Sequence, residues 1–443
     1  MIVSVGRMMR KGGGGLIWPK GLKESIKAIY DPAKQGMTNY DVIESYVTDF
    51  TTWRTADKNY VGLTIRSSSF SISFNKVSNH VIMWKPNYLF NEEGQVKLQV
   101  SGITNNISII IKHGTQEFPI VNGVNTFSFT QEENKSLSFV CKNVFQDTNI
   151  TITQLPTSIL KDLSGNGNHA YLYGGKGKLN SGIGLYTYDY NSDRWSSTGR
   201  ADYIITKKGF EFTNIIEDGG IIFALGSNIA KEGDKVKVKI SGIPNGGRVY
   251  FGTWITATED GEYLGTYAYD NNGNTTIGTL GCIGATITLE FIPDYPDQLC
   301  YDGKMYAVAY DMPILTDYTV MAERTWFKIG DNSCFASKRI GANKGAFAIE
   351  YRKLYAENFG SYNAITFVAN KKEIIVQSKE KYNDKDLIAG NEIDTNQLLI
   401  GGISLNNNRL NEPYIGCHGT IIVADRSFTE EEINWLKDNL FRK

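Results

Sequence analysis

The chain has 443 residues, too many for one ordinary hydrophobic core, and its length suggests roughly three domains of 100 to 200 residues each. With 41% hydrophobic, 21% charged and 12% aromatic residues, 45 Gly, 25 Tyr and only 10 Pro, its composition is that of a folded, strand-rich protein, not a disordered or fibrous one. Lys plus Arg (46) nearly cancels Asp plus Glu (47), so no overall field draws the chain to phosphate backbones or anionic lipid, and nucleic acid is not an expected partner.

Residues 1–59 read as an N-terminal arm and a helical docking segment. Arg7, Arg10, Lys11 and Lys20 surround a four-glycine run without the apolar stretch of a secretion signal. Apolar spacing then predicts short helices over Leu22 to Tyr30 and over Thr38 to Trp53, where Tyr40, Ile43, Val47 and Phe50 fall three or four apart. From residue 60 to 156 the pattern changes to alternation, as in Phe70-Ser-Ile-Ser-Phe74 and Val96-Lys-Leu-Gln-Val100, with a hairpin signal at Asn122-Gly123. This predicts a first small β-sandwich.

A second small sandwich is expected over 206–296, a repeat of the first. Val96-Lys-Leu-Gln-Val-Ser-Gly-Ile103 matches Val236-Lys-Val-Lys-Ile-Ser-Gly-Ile243, and Thr151-Ile-Thr-Gln-Leu-Pro156 matches Thr286-Ile-Thr-Leu-Glu-Phe-Ile-Pro293, at nearly equal separations. The flanking stretches, 157–205 and 297–443, hold a turn-rich segment around Asp162 and further strand candidates, among them Asp317 to Phe327, Ala346 to Tyr351, Ala364 to Val368, Glu373 to Val376, Leu398 to Gly402 and Gly419 to Ala424. A closing helix follows, capped by Ser427 or Thr429, with Glu430, Glu431 and Glu432 in its first turn and an apolar stripe of Ile433, Leu436 and Leu440. The expected fold is all-β: multiple sandwich modules with short N- and C-terminal helices.

Two of these segments carry a resemblance. Asp162-Leu-Ser-Gly-Asn-Gly-Asn-His169 resembles the opening signature of the concanavalin A-like, laminin-G-type jelly roll, and Gly419-Thr-Ile-Ile-Val-Ala-Asp-Arg-Ser-Phe-Thr-Glu-Glu-Glu-Ile433 resembles its closing strand and following helix. The resemblance implies one discontinuous jelly roll over 157–205 and 297–443, with the second small sandwich inserted in a loop. Ala28-Ile-Tyr-Asp-Pro-Ala-Lys-Gln-Gly-Met-Thr-Asn-Tyr-Asp41 is similar to a segment of structural proteins of crAss-like tailed phages of gut Bacteroides, where it precedes an Asp-Leu-Ser-Gly-Asn-Gly motif. That likeness implies a virion location and a head-fibre, tail-fibre or related appendage role. It also implies other virion proteins of the capsid or tail as partners, a homo-oligomer such as a trimer, and attachment to the host surface; a glycan-binding lectin-like adhesin is the alternative.

No catalytic, cofactor-binding or metal-ligating residue is assigned, no cofactor is expected, and the chain is not read as an enzyme. It carries no GxSxG elbow, phosphate loop or HExxH, and no strand bears the Glu-x-Asp-x-x-Glu pattern of a jelly-roll glycosidase. Of the histidines His80, His113, His169 and His418, the last two could meet if the first and last jelly-roll strands are neighbours. Asp162, Ser164, Asn166 and Asn168 alternate oxygens as a calcium loop does, but Tyr173 stands where the closing Glu would be, so tight-turn chemistry is favoured. Asp270-Asn-Asn-Gly-Asn274 reads as a hairpin tip. Tyr186, Tyr188, Tyr190 and Trp195, or Tyr263, Tyr267 and Tyr269, offer aromatic faces for sugar stacking or for packing between strands. Cys141, Cys282, Cys300, Cys334 and Cys417 lack CxxC spacing and suit free thiols made in a reducing cytoplasm, not a disulfide framework or zinc site. No apolar window is long enough to span a membrane.

Overall fold

The computed structural model describes residues 16–441 except 40–49, 56–60, 66–68, 75–79, 89–94, 105–106, 143–148, 157, 174–181, 183–194, 217–218, 227–231, 253–254, 269–273, 316, 329–332, 340–344, 351–353, 357–372, 378–396 and 407–408. The fold is all-β, with several sandwiches and, among the described residues, two short α-helices and a 3-10 turn at Phe50–Thr52. A single turn, α1 (Leu22–Ser25), leads into β1 (Ile26–Tyr30). The chain then runs through β2 (Arg54–Thr55), β3 (Val61–Ile65), β4 (Ser69–Phe74), β5 (His80–Lys85) and β6 (Gln95–Ser101). It continues with β7 (Ser108–His113), β8 (Gln116–Ile120), β9 (Gly123–Ser128), β10 (Leu137–Lys142) and β11 (Asn149–Leu155). Two short strands, β12 (Ile159–Leu160) and β13 (Ala170–Tyr173), come next.

A second run follows: β14 (Trp195–Ser197), β15 (Ala201–Thr206), β16 (Gly209–Ile215), β17 (Gly220–Gly226) and β18 (Lys235–Ser241). It ends with β19 (Arg248–Phe251), β20 (Ile255–Ala257), β21 (Gly261–Thr266), β22 (Asn274–Leu280) and β23 (Thr286–Ile292). The remainder is β24 (Leu299–Asp302), β25 (Tyr306–Ala309), β26 (Thr319–Trp326), β27 (Cys334–Arg339), β28 (Gly345–Glu350) and β29 (Leu354–Ala356). Last come β30 (Glu373–Gln377), β31 (Leu398–Ile400), β32 (Ser404–Asn406), β33 (Arg409–Asn411), the long β34 (Ile415–Ala424) and α2 (Glu430–Leu440).

Strands from both ends of the chain build a scaffold of two sheets. One runs β1-β34-β26-β30, with β24 also on β34; the other runs β12-β13-β25-β31-β27-β28-β29. Tyr30, Leu172, Tyr301, Val320, Phe335, Ile400 and Val423 share the core between them. The strands of this core are near-continuously apolar because the outer face of the first sheet is covered too: Leu436 and Trp435 of α2, with Trp18 and Leu22, pack on Ile26, Ile29, Met321 and Ile422. Thr429 caps α2 in a reciprocal box with Glu432, whose carboxylate also holds the Arg426 guanidinium through two hydrogen bonds of 2.6 and 2.9 Å.

The N-terminal segment corrects the helical docking expectation. Within Leu22 to Tyr30 only Leu22–Ser25 is helical; Ile26–Tyr30 is an edge strand of the scaffold, paired with Ile421 to Ala424. A bulge between Ile26 and Ala28 puts Ile26 and Ile29, three apart, against the same cluster under α2, while Ala28 and Tyr30 enter the core between the sheets. The bulge thus reproduces helical spacing in a strand. Most of the second expected helix, from residue 40 to 49, and the basic arm before Leu16 lie outside the described residues.

The two inserted sandwiches have one topology. The first stacks β2-β5-β10-β7-β8 on β3-β4-β11-β6-β9; the second stacks β14-β17-β22-β19-β20 on β15-β16-β23-β18-β21, the same order strand for strand. The matched segments occupy matched registers: Ser101 opposes Thr151, and Ser241 opposes Thr286. The same spacing separates Trp53 from Phe70 as Trp195 from Phe212, and Phe70 and Phe212 oppose the equivalent Ile152 and Ile287. Gly102 and Gly242 follow the matched strands with φ of 90° and 80°, a conformation that a Cβ disfavours. Across the turn, the Asn122 side chain accepts from the Ile103 amide, and Asp260 accepts from the amides of Gly242 and Ile243, all at 2.9 Å. Those two hydrogen bonds hold the Asp260 carboxyl below the usual range.

Both modules begin earlier than residues 60 and 206. Phe50 and Trp53 lie in the first core, and Trp195 with β15 belongs to the second sandwich, not to the scaffold, because β14 pairs with β17 and β15 with β16.

Candidate interaction surfaces

The sequence feature most suggestive of a site, the Asp162 turn, is an edge clamp. As an edge strand, β1 turns one side of its backbone away from β34, and the turn satisfies that side. Asp162 Oδ1 accepts from the Ile29 amide (3.0 Å) and the Ser164 amide (2.8 Å), and Oδ2 accepts from the Asn168 amide (3.1 Å) and the Ser164 hydroxyl (2.9 Å). Asn166 Nδ2 donates to the Ile26 carbonyl and Asn168 Nδ2 to that of Lys27, each at 2.7 Å, while the Ile29 carbonyl accepts from the Leu163 amide. Tyr30 reaches back to the Asn168 carbonyl (2.7 Å), and Gln35 bridges Ile159 and Lys161. The Asp162 carboxylate and Ser164 hydroxyl therefore serve N–H and O–H donors, while Asn166 and Asn168 work as amide N–H donors to the β1 carbonyls, standard chemistry for Asx turns. The segments bearing the two resemblances form one hydrogen-bonded unit, with the first small sandwich between them in sequence.

The segment after β1 is tied to the other end of the chain through Asp31, which is fully buried. Burial pushes its carboxyl up, but hydrogen bonds from the Lys34 amide (3.0 Å) and Thr420 hydroxyl (2.8 Å), with the Lys34 ammonium at 3.1 Å, outweigh this and hold it below the usual carboxylate range. The Lys34 ammonium also donates to the Leu440 carbonyl. A depressed folded-state value means that this contribution is complete above about pH 4 and is lost as acid protonates the carboxyl below it. Asp31→Asn is expected to lower the melting temperature at pH 6, with the gap to the parent narrowing as the pH approaches 3; a gap independent of pH would refute the linkage.

The histidines are engaged separately. His169 Nδ1 accepts from the Asp162 amide at 3.0 Å within the clamp. His418 lies inside β34, with Nδ1 2.8 Å from the Gly419 carbonyl and Nε2 3.0 Å from the Tyr301 hydroxyl, so Nδ1 is assigned the proton and Nε2 accepts from the tyrosine. His113 Nε2 accepts from the Glu132 amide, and the side chain of His80 lies outside the described residues. Among the described residues no group of three or more His, Cys, Asp or Glu converges as metal ligands would, and no helix is long and apolar enough to cross a membrane. Glu430, Glu431 and Glu432 form the first turn of α2.

The aromatic platforms turn inward. Trp195 stacks on Phe223 at 5.2 Å, Tyr267 is wholly buried, and Tyr263 packs against the same core with its hydroxyl on the Glu259 carbonyl. Tyr186, Tyr188, Tyr190, Tyr269 and the tip at Asp270 to Gly273 lie outside the described residues. A tyrosine cluster instead joins the first sandwich to the scaffold. Tyr173 stacks on Tyr306 at 5.0 Å and hydrogen-bonds Tyr310 at 2.7 Å, and Leu155, the last residue of β11, packs among them. Burial pushes the Tyr306 phenol up to about 12.

What sequence reading missed is the character of the free ends. The register puts both attachment points of each sandwich at one end: β2 and the close of β11 in the first, β14 and the close of β23 in the second. The opposite ends expose aliphatic side chains, Val81, Val121 and Val124 in the first and Ile216, Ile221, Leu280 and Ile283 in the second. A signal exists for the last group: Ile216 and Ile283 interrupt glycine-rich turns, where polar residues are the rule. The outer faces of equivalent sheets differ as well. The first shows Ser71, Ser73, Thr151, Thr153, Gln99 and Thr126 together with Lys97, whereas the second shows Lys237, Lys239, Glu290 and Glu262.

No family model matches the chain, and no curated protein matches it. Among solved structures it is similar to the secreted serine protease VesC from Vibrio cholerae, with 12% identity and a TM-score of 0.16 over 53% of this chain; the chain spans about half of the protease, 51%. It is also similar to a chain in the X-ray structure of the entire lipid-containing bacteriophage PM2, with 7% identity and a TM-score of 0.14 over 80% of this chain and 99% of that one. Scores this low carry no functional argument.

Proposed function

We propose that the protein is a structural, appendage-type virion component of a crAss-like tailed phage, in which a laminin-G-type jelly roll is the scaffold and the two inserted sandwiches project towards the host surface. The observation that carries this reading is the pair of sandwiches of one topology, each attached by one end to a shared scaffold and exposing aliphatic residues at the other. Repetition of a module supports attachment, since contacts too weak singly are multiplied when presented together, and a homo-oligomer multiplies them again. The hydrogen-bonded union of the Ala28–Asp31 and Asp162–His169 segments supports the family reading, because these are the residues that resemble crAss-like structural proteins. In this proposal the basic start, with Arg7, Arg10 and Lys11, contacts capsid or tail proteins.

Quantitative mass spectrometry of purified particles is the test. The chain is expected at a fixed copy number per particle, with antibodies against residues 195–292 labelling the exterior; absence from washed particles would overturn the reading. A second reading, a glycan-binding adhesin, draws on the hydroxyl and amide groups that surround Lys97 on the outer face of the first sandwich, which suit hydrogen bonding to a polysaccharide. Binding of the full chain to a glycan array, lost on substituting Thr151 and Thr153 by Glu, is its expected result.

A further inference from the structure

We propose that Cys300 and Cys417 are a dithiol–disulfide couple that fastens β24 to β34 when the folded protein meets an oxidising solution. The two residues are direct partners in the antiparallel register of these strands. Opposed residues in such a pair have Cα atoms about 4.5 or 5.5 Å apart, and disulfides span about 4.4 to 6.8 Å, so the bond can close with little backbone movement. The thiols already share a partner residue: Cys417 Sγ lies 2.9 Å from Gln298 Oε1 and Cys300 Sγ 3.6 Å from the Gln298 carbonyl. Cys141 and Cys282 lie in the cores of the two small sandwiches and Cys334 in β27, away from this register pair.

The location gives the bond a purpose. After β23 the chain leaves the second sandwich and is held to the scaffold by β24, which has four residue pairs with β34. A pull on that sandwich loads this short strand, and a covalent cross-link would carry the load in place of hydrogen bonds.

Both thiols are fully buried beneath Tyr295 and Phe327, whose partly buried rings stack at 4.5 Å, with Gly182 packed so closely that an added Cβ would lie 3.0 Å from Cys300 Sγ. Burial, more than the neighbouring Cys417, pushes the Cys300 thiol well up, so thiolate is scarce at neutral pH and oxidation is slow until the aromatic cover opens or the pH rises. With oxidised glutathione as oxidant, one protein thiolate attacks its disulfide sulfur and expels a glutathione thiolate. The second protein thiolate then displaces the remaining glutathione from the mixed disulfide. Two protein thiols lose two electrons, the oxidant becomes two glutathione thiols, and these take up the two protons.

The experiment uses the full chain, incubated with oxidised glutathione at mildly alkaline pH, with maleimide mass tagging and non-reducing peptide mapping. Two of the five thiols are expected to disappear, the Cys300 and Cys417 peptides to co-migrate as one cross-linked species, and the scaffold melting temperature to rise by about 5 to 10 °C, reversed by reductant. Cys300→Ser and Cys417→Ser should each abolish the rise while melting like the reduced parent. The proposal is overturned if all five thiols still react after the same incubation in mild denaturant, if cross-links join other cysteines, or if the cross-linked chain melts no higher than the reduced one.

Discussion

Replacing Asp162 by alanine is expected to destabilise the scaffold by about 3 to 4 kcal/mol. The substitution deletes the common acceptor for the amides of Ile29, Ser164 and Asn168, and the Ile29 and Asn168 bonds are buried. Each buried donor left without a partner costs on the order of 1 to 3 kcal/mol, and hydrogen bonds to a charged group lie at the upper end. The loss should be local at first. With its outer edge unsatisfied, β1 frays from β34, so hydrogen exchange of residues 26–30 should accelerate before that of β26 or β25. Ser164→Ala removes one contributor and should cost about 1 kcal/mol. If Asp162→Ala leaves exchange at Ile29 unchanged, the clamp has no energetic role.

A second large effect is expected from Phe223→Ala. This wholly buried ring contacts Trp195, Tyr203, Phe210 and Phe212, at centroid distances of 5.2, 5.4, 5.0 and 5.1 Å, and so holds β14 and the two sheets of the second sandwich together. Truncating a buried Phe costs about 3 to 5 kcal/mol, a large part of the 5 to 15 kcal/mol available to an ordinary domain. Because the core of this sandwich is separate from that of the scaffold, the variant should show an early melting step, with protease cleavage confined to 195–292. Equal loss of protection in the scaffold strands would mean that module and scaffold unfold as one unit.

Much of the fold was readable because burial alternates strictly in several strands of the small sandwiches: Gln95 to Ser101, Lys235 to Ser241 and Thr286 to Ile292 place every second side chain in the core. The duplication was visible only in the two matched strands of each copy, where a lysine-rich or threonine-rich outer face left the apolar rhythm clean. Elsewhere the copies diverged, and the boundary at Trp195 was hidden because β14 and β15 alone look like any strands; pairing with β17 and β16 assigns them. The first scaffold strand was misread for a different reason, since a bulge in a strand buried on both faces leaves no alternation to see. The clamp residues were legible as turn chemistry, but not their client, because Ile26 to Ile29 lie far away along the chain. Cys300 and Cys417 were legible only as scattered thiols, since their opposition is a fact of register.

The pairing of β1 with β34 also orders the protein's birth on the ribosome. Each small sandwich is contiguous in sequence and can collapse as soon as its last strand emerges, whereas the first scaffold strand must wait for a partner synthesised at the far end of the chain. A nascent polypeptide therefore carries finished modules on an unclosed frame, with the apolar faces of β1 and β26 uncovered until translation has passed Ala424. Premature termination anywhere upstream would leave that surface open to aggregation, which makes the last strand the step that commits the molecule to its native state.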